Sequence, residues 1–394
     1  MAERVKIVLK SGKDQSLRRR HPWVFSGAIK KMYGNPSEGD IVDVYDNKDE
    51  FLASGHYQIG SIAIRVLSFE KVDIDPDFWY KRIKEAYDVR KNLELADSAE
   101  TNVFRLIHAE GDNLPGLIVD YYNGHIVLQV HSVGMYRNLD AIVKSLQKVL
   151  GQNMVSIYDK SESTMPRKGP IKVTNSNLMG DASESTVLEN GLSFKVNWTG
   201  GQKTGFFVDQ RENRELVRKL AQGRKVLNMF SYTGGFSVYA LSGGAELVHS
   251  VDSSAPAIDL VNENMSMNFK NANQKAIAAD AFKYLVDIND QYDLIILDPP
   301  AFAKHHNVLH NALQGYKRLN QQVLEKIQAG GILFTFSCSQ VVSKENFRKS
   351  VFAAAANAKR NVRILYQLSQ PVDHPVNIYH PEGEYLKGLV LYVE

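Results

Sequence analysis

The chain has 394 residues, 44% hydrophobic and 23% charged, with a net charge of +3 and a single cysteine. That length implies two or three domains, each able to bury a core, and the composition excludes a disordered chain. Without an apolar run of about 18 residues, a signal-type N-terminal segment or a disulfide framework, neither membrane insertion nor export is expected, and a cytoplasmic location is. The modest positive charge permits an acidic partner without requiring one, so nucleic-acid binding must be argued from local clusters.

Residues 1–69 read as short strands with turns: Val5–Leu9, Asp40–Asp46 and Ile62–Leu67, separated by Gly34-Asn35-Pro36 and Asn47-Lys48. A small β-barrel is predicted. A helix over Phe78–Glu94 follows, then strands Leu117–Tyr122 and His125–Val130 around Asn123-Gly124, the strongest short-range hairpin signal. A helix over Met135–Leu150 and a strand over Met154–Tyr158 complete a central α+β domain. Ser161–Asn177, with Pro166-Arg167-Lys168-Gly169-Pro170, is polar and turn-rich and reads as a mobile linker. The predicted division is 1–70, 71–184 and 185–394.

From Ser185 onward, strands and helices alternate at the spacing of a doubly wound α/β sheet. Lys225–Phe230 is the first strand, Gly235–Leu241 opens a helix, and Leu247–Asp252 is the second strand, ending in an acid suited to a ribose hydroxyl. Lys275–Ala279 leads to Asp280-Ala281, placed to edge an adenine. Leu294–Leu297 ends at Asp298-Pro299-Pro300, Gly331–Phe336 ends at Ser337-Cys338-Ser339, a helix covers Val351–Ala358, and Leu386–Leu391 is a closing strand.

The turn Ser231-Tyr232-Thr233-Gly234-Gly235-Phe236 lacks both the G-x-G-x-x-G spacing of a dinucleotide site and a Walker A sequence. Two adjacent glycines let the backbone approach a ligand closely without a phosphate, which suits S-adenosylmethionine (SAM); the plain alternative is a tight left-handed turn. In Asp298-Pro299-Pro300 the prolines fix φ and remove two donors, framing the polar edge of a flipped base, where the plain reading is a turn. Ala301 stands where amino-directed methyltransferases place an aromatic residue, which favours carbon as the acceptor.

A lone cysteine is most often a small buried hydrophobe. Cys338, however, follows a buried strand into the loop region where an open α/β sheet binds its ligand. A thiolate adding to carbon 6 of a pyrimidine makes carbon 5 nucleophilic towards a sulfonium methyl. Cys338 is therefore the candidate nucleophile and Asp298 the acid that protonates the cytosine ring, with the base that removes the carbon-5 hydrogen left open.

These residues closely resemble the ribosomal RNA large subunit methyltransferase I family, SAM-dependent enzymes that make 5-methylcytosine. The resemblance spans nearly the whole chain and rests on Arg19–Gly27, Lys203–Arg211, Phe230–Phe236, Asp298-Pro299-Pro300, Phe336–Ser339 and Asp373-His374-Pro375. It implies an N-terminal PUA-type barrel, a central α+β domain and a C-terminal Rossmann-like methyltransferase domain with Cys338 as nucleophile. The cofactor set is Gln210, Asn228, Phe230, Ser231, Tyr232, Thr233, Gly234, Asp252, Ser253, Asp280 and Ala281. Two departures stand out: Ala301 replaces a common lysine, and Glu110-Gly111-Asp112-Asn113 replaces Glu-Ser-Asp-Gly.

Arg18-Arg19-Arg20-His21 beside Trp23 and Phe25 combines cations with stackable rings, as single-stranded RNA binding requires. Arg19, Arg20, Trp23, Lys203, Arg211 and Lys317 are the RNA-contact candidates. Arg211, Arg214 and Arg218 share a helical face, although Arg211 could instead pair with Glu215. Tyr316 and His374 could line the RNA crevice or simply pack. His305-His306 lacks further ligands at metal spacing, so no metal is expected. Ribosomal RNA is the expected partner, and self-association as a homodimer stays open. The alternatives are a guanine N-methyltransferase, which would not need Cys338, and a non-catalytic RNA-binding or assembly factor.

Overall fold

In the computed structural model the described residues are 4–166, 169–288, 291–303 and 305–394. The N-terminal barrel is a six-stranded sheet built from β1 (Val5–Leu9), β2 (Trp23–Phe25), β3 (Ile29–Tyr33), β4 (Ile41–Tyr45), β5 (Phe51–Tyr57) and β6 (Ile62–Ser68), in the order β2-β6-β5-β4-β1-β3. One short helix, α1 (Gln15–Arg18), precedes β2. Alternate apolar residues, among them Ile7, Leu9, Val42, Val44, Ile64 and Val66, fill its core. Strand β5 was not predicted because Ser54, Gly55 and His56 break its apolar pattern. Gly55 answers a close approach: a Cβ there would lie 2.3 Å from the Arg65 carbonyl oxygen.

A second sheet has the order β11-β10-β9-β8-β7, from β7 (Val103–His108), β8 (Leu117–Tyr122), β9 (His125–Val130), β10 (Ser156–Asp159) and β11 (Ser176–Met179). The predicted hairpin forms β8 and β9, with Asn123 and Gly124 both at positive φ. Helix α2 (Pro76–Asn92) starts earlier than predicted because the Asp75 carboxylate accepts from the Phe78 N–H at 2.9 Å and Pro76 opens the first turn. The helix predicted over Met135–Leu150 is two, α3 (Val133–Arg137) and α4 (Leu139–Leu150), joined at Asn138, whose amide donates to the Gly134 carbonyl at 2.8 Å. Strand β11 takes the end of the predicted linker, of which Arg167 and Lys168 lie outside the described residues. A two-stranded sheet pairs β12 (Glu184–Glu189) with β13 (Leu192–Asn197).

By compactness the chain forms two units, the first being Met1–Val187, Val196–Phe206 and Val372–Gly383. Within it, Arg90 is fully buried and donates to the Arg105 carbonyl (2.8 Å), Asp112 Oδ2 (2.8 Å) and the Asp373 carbonyl (2.7 Å). Asp373 in turn accepts from the Arg105 N–H at 2.9 Å, and the His374 ring lies 3.1 Å from its Oδ1. The Asp373-His374-Pro375 motif thus packs, and His374, 1% exposed, lines no crevice. Gly111 answers a second close approach. A Cβ there would stand 1.9 Å from the Pro375 carbonyl oxygen.

Two histidines in this unit carry a pH liability. Burial pushes both His56, stacked on Trp79, and His131 down to about 4. Unfolded, each takes a proton below its ordinary pKa of about 6.5, whereas folded it stays neutral until about 4. Stability is therefore full above pH 6.5 and falls as the pH drops towards 4, by up to about 1.4 kcal/mol per pH unit for each ring. Urea midpoints should decline between pH 7 and 5, less steeply in His56→Gln; flat midpoints would contradict the assignment.

The second unit, Leu188–Lys195, Phe207–Pro371 and Glu384–Glu394, holds a seven-stranded sheet in the order β16-β15-β14-β17-β18-β20-β19. Its strands are β14 (Lys225–Met229), β15 (Leu247–Asp252), β16 (Gln274–Ala278), β17 (Leu294–Leu297), β18 (Gly331–Ser337), β19 (Val362–Ser369) and β20 (Lys387–Val393). The first five are parallel, with β14 the central one from which the chain runs both ways; β20 is antiparallel to β18 and β19. The helices are α5 (Arg211–Leu220), α6 (Gly235–Ser242), α7 (Ala255–Asn268), α8 (Ala281–Asp287), α9 (Leu309–Leu324) and α10 (Lys344–Ala358). Strands β17 and β18 are buried along their whole length, which is why both read as predominantly apolar runs without alternation. Among the described residues no helix is long and apolar enough to cross a membrane.

Candidate functional site

In the second unit the parallel strands end together, and the loops after β14, β15, β16, β17 and β18 carry most of the predicted site residues. After β14 the chain turns sharply into α6. Phe230 (φ 58°) and Tyr232 (φ 44°) hold the left-handed region at non-glycine residues, beside Gly234 (φ 79°). Each such conformation costs of order 1 kcal/mol and persists only where the surroundings impose it. Here the Tyr232 N–H donates to Asp252 Oδ2 (2.9 Å), the Ser231 N–H to the Val251 carbonyl (3.0 Å), and the Phe207 ring meets Tyr232 edge-on at 5.1 Å. A Cβ at Gly234 would press on Val261 at 3.1 Å, and one at Gly235 on the Arg214 side chain at 3.0 Å.

Asp252 is held from below, its Oδ1 accepting from the Ser254 N–H at 2.9 Å. Ser253 is exposed beside it, and the exposed Asp280 caps α8 through the Lys283 N–H (3.0 Å) ahead of the buried Ala281. Asn228 lies deeper, its amide donating to Ser237 Oγ (2.9 Å), which bonds Ser250 Oγ (2.7 Å). It supports the turn from beneath. The Thr233 carbonyl is fixed by Asn264 Nδ2 at 2.8 Å. One buried polar atom of the turn, Ser231 Oγ, has no protein partner. A tight left-handed turn, an orphaned hydroxyl and an oriented carboxylate at the next strand end suit SAM. The structure therefore fits this cofactor at Phe230–Gly234 and Asp252. Asp252→Ala should weaken SAM binding about 10- to 100-fold by calorimetry while the fold stays intact, from the worth of hydrogen bonds to a charged group; an unchanged affinity would remove Asp252 from the site.

Gln210 Nε2 donates to Asp298 Oδ2 at 3.0 Å, which brings the two together after β17. Cys338, half-buried, follows β18 directly. Its neighbours are pinned: Ser337 Oγ donates to the Tyr316 hydroxyl (2.9 Å) and Ser339 Oγ to the Ala303 carbonyl (2.5 Å), tying this loop to the one after β17. Burial pushes the Tyr316 phenol up to about 12, and the charges of Cys338 and Asp298 push it the same way. One buried hydroxyl thus senses both the thiol and the carboxyl group. Tyr316 is fully buried against Phe302, centroids 4.6 Å apart, so it packs and lines no RNA surface; Lys317 beside it is half-buried.

Lys387 is a buried charged residue beside the Cys338 loop that the sequence reading did not single out. It sits in the closing strand β20, directly opposite Ser337, and its Nζ donates to the Ser339 and Val342 carbonyls, each at 2.6 Å. A lysine in the apolar run Leu386–Leu391 was the available signal.

Of the basic residues expected along α5, Arg211 and Arg214 are buried, Arg218 is half-buried and Lys219 is exposed. Arg211 is 3% exposed, Arg214 is paired with the buried Glu189, and Glu215 pairs with Arg218 (2.7 Å). The first part of that helical face, Arg211 and Arg214, points inward. In the first unit, Arg19, Arg20 and Lys203 are exposed, with Arg20 over the Phe69 ring at 5.5 Å. Arg18 is neutralised by Asp14, Asp46 and Glu50. Trp23 donates its indole N–H to Glu110 (2.8 Å), meets His380 at 4.3 Å and lies under Arg65 at 5.2 Å. The His306 side chain lies outside the described set, and among the described residues no group of three or more His, Cys, Asp or Glu could hold a metal ion.

The family described as S-adenosylmethionine-dependent methyltransferase matches residues 104–376, and the PUA-like domain family matches residues 7–69. The chain is 41% identical to "Ribosomal RNA large subunit methyltransferase I" of Photobacterium profundum, over 98% of this chain and 99% of that protein. It is 39% identical to the protein of the same name from Alteromonas mediterranea, over 98% of each. Among solved structures, a candidate SAM-dependent methyltransferase from Streptococcus mutans superposes with a TM-score of 0.83 at 26% identity, covering 98% of this chain and all of that one. A candidate methyltransferase complexed with S-adenosylhomocysteine gives a TM-score of 0.85 at 26% identity, with the same coverage. With a SAM methyltransferase fold, a PUA-like N-terminal domain and a cofactor turn that fits SAM, the chain belongs to the ribosomal RNA large subunit methyltransferase I family of SAM-dependent methyltransferases.

Proposed function

We propose that this methyltransferase acts on carbon 5 of a cytosine in large-subunit ribosomal RNA, through a transient bond between Cys338 and carbon 6 of the ring. The observation that carries the reading is the placement of the sole cysteine at the carboxyl end of β18, in a loop tied to that of Asp298 through Ser339 and Ala303. Bound SAM supplies a methyl group made electrophilic by its sulfonium. Cys338, as thiolate, donates its electron pair to carbon 6 while the Asp298 carboxyl gives a proton to ring nitrogen 3, so that no charge builds up on the ring. Carbon 5, now enamine-like, attacks the methyl group, and the S–CH3 electron pair stays on the departing sulfur, which leaves as S-adenosylhomocysteine. A base then takes the carbon-5 proton, that electron pair re-forms the carbon 5–carbon 6 double bond and expels the Cys338 thiolate, and nitrogen 3 returns its proton to Asp298.

The target must leave its stack to reach this loop. Exposed Arg19, Arg20 and Lys203 supply phosphate contacts, and Trp23 with the half-exposed Phe25 supplies aromatic surface for unpaired bases. Residues 1–70 serve as the RNA-binding barrel, 71–184 as the central domain and 185–394 as the methyltransferase domain. The names of the relatives support ribosomal RNA as the substrate. The test is to methylate unmodified ribosomal RNA with methyl-labelled SAM and digest it to nucleosides. Label in 5-methylcytidine is expected; label in a methylated guanosine would reject the reading.

A further inference from the structure

We propose that Lys387 is the positioning residue of the nucleophile: its ammonium clamps the Cys338–Val342 loop and is the positive charge against which the Cys338 thiolate forms. The inference rests on the reading of Cys338 as nucleophile and adds what prepares the sulfur for attack.

Geometry makes the argument. The antiparallel register pairs Ser337 with Lys387, so the lysine is fixed by the sheet beside the residue that precedes Cys338. Its neighbour Gly388 faces Phe336, and a Cβ there would come within 2.5 Å of that ring, so the strands meet too closely to slip. The Lys387 side chain is 6% exposed and crosses to the carbonyls of Ser339 and Val342, at 2.6 Å each, closing the loop like a staple. Two donated bonds leave an ammonium with a third N–H and a full charge.

That charge has no carboxylate within ion-pair distance among the described residues. The charged groups packed around it are Lys344 and Glu384, which pair with each other at 2.7 Å and act on Lys387 in opposite directions, and Cys338. Tyr316 from α9 feels the charges of both Cys338 and Asp298, the latter in the loop after β17. Burial pushes Lys387 down to about 8, while the Cys338 charge holds it up. The two charges therefore interact, and the ammonium is set to favour the ionised form of the sulfur, which in an ordinary thiol titrates at about 8.5. When the S–H bond breaks, the proton leaves to water, the electron pair stays on sulfur, and the ammonium compensates it. A buried lysine here would otherwise be a cost without return.

The single cysteine makes the test unambiguous, because iodoacetamide has one thiol to label. The rate of alkylation of the full-length protein should follow the thiolate, with an inflection below 8.5 in the wild type. In Lys387→Met the inflection should rise by about one unit, slowing alkylation at pH 7 about tenfold, whereas Lys387→Arg keeps the wild-type profile and all three retain SAM affinity. Superimposable profiles for Lys387→Met and wild type, or a wild-type inflection at or above 8.5, would overturn the proposal. The wild-type measurement decides even if the methionine variant does not fold. An adduct with 5-fluorocytosine RNA alongside an unshifted profile would reject Lys387 alone. A low, lysine-dependent profile without any adduct would reject the nucleophile and uphold the pairing of Lys387 with the thiol.

Discussion

Cys338→Ala loses methyl transfer by at least about a thousandfold while SAM still binds with wild-type affinity, because the variant removes the bond-forming atom and nothing that holds the cofactor. The cofactor turn lies after β14 and is fixed by Asp252, Val251 and Asn264, through bonds that do not involve the β18 loop. Alanine also leaves the Ser337–Tyr316 and Ser339–Ala303 bonds in place, so the loop should keep its shape. Single-turnover assays with saturating SAM separate the outcomes. A loss of less than about tenfold would mean that the acceptor is activated without a thiolate, as in transfer to an exocyclic amine.

Arg214→Met should destabilise the second unit by about 3–5 kcal/mol, the range for breaking a buried ion pair from one side. Arg214 and Glu189 are both almost wholly buried and meet through two bonds, at 2.8 and 2.7 Å, with the Tyr239 hydroxyl donating to Glu189 Oε1 at 2.9 Å. Burial works against the guanidinium charge, and the Glu189 carboxylate outweighs it, leaving the pKa of Arg214 raised. Methionine fills part of the volume but strands the carboxylate. Because Arg214 also lies against Gly235 at the start of α6, SAM affinity should fall with stability. The double variant Arg214→Met, Glu189→Leu should recover most of the loss, since no unpaired charge then remains. Urea unfolding measures both; a single-variant loss below about 1 kcal/mol would mean that water reaches Glu189.

The parallel strands were legible because both their faces are buried: Leu294–Leu297 is wholly apolar, and in Gly331–Phe336 Thr335 alone interrupts the apolar run. The Asn123-Gly124 turn was legible because few residue pairs tolerate two successive positive φ angles. Strand β19 was not, since it lies at the sheet edge with Ile364, Leu365 and Tyr366 exposed in succession around a bulge and shows no alternation. Periodicity placed Arg211, Arg214 and Arg218 on one face, yet period alone does not say whether a face meets water. Only the buried Glu189, far off in sequence, turns it inward. At the site, loop residues were readable from strand ends and turn chemistry, whereas Lys387 acts through the β18–β20 register, a pairing that no local pattern encodes.

The covalent step is open to direct trial. Ribosomal RNA carrying 5-fluorocytosine is incubated with the protein and SAM, then digested and analysed by peptide mass. Fluorine blocks the elimination, so an RNA adduct on the peptide containing Cys338 is the expected result. Unadducted protein, under conditions where normal RNA is fully methylated, would contradict the covalent mechanism.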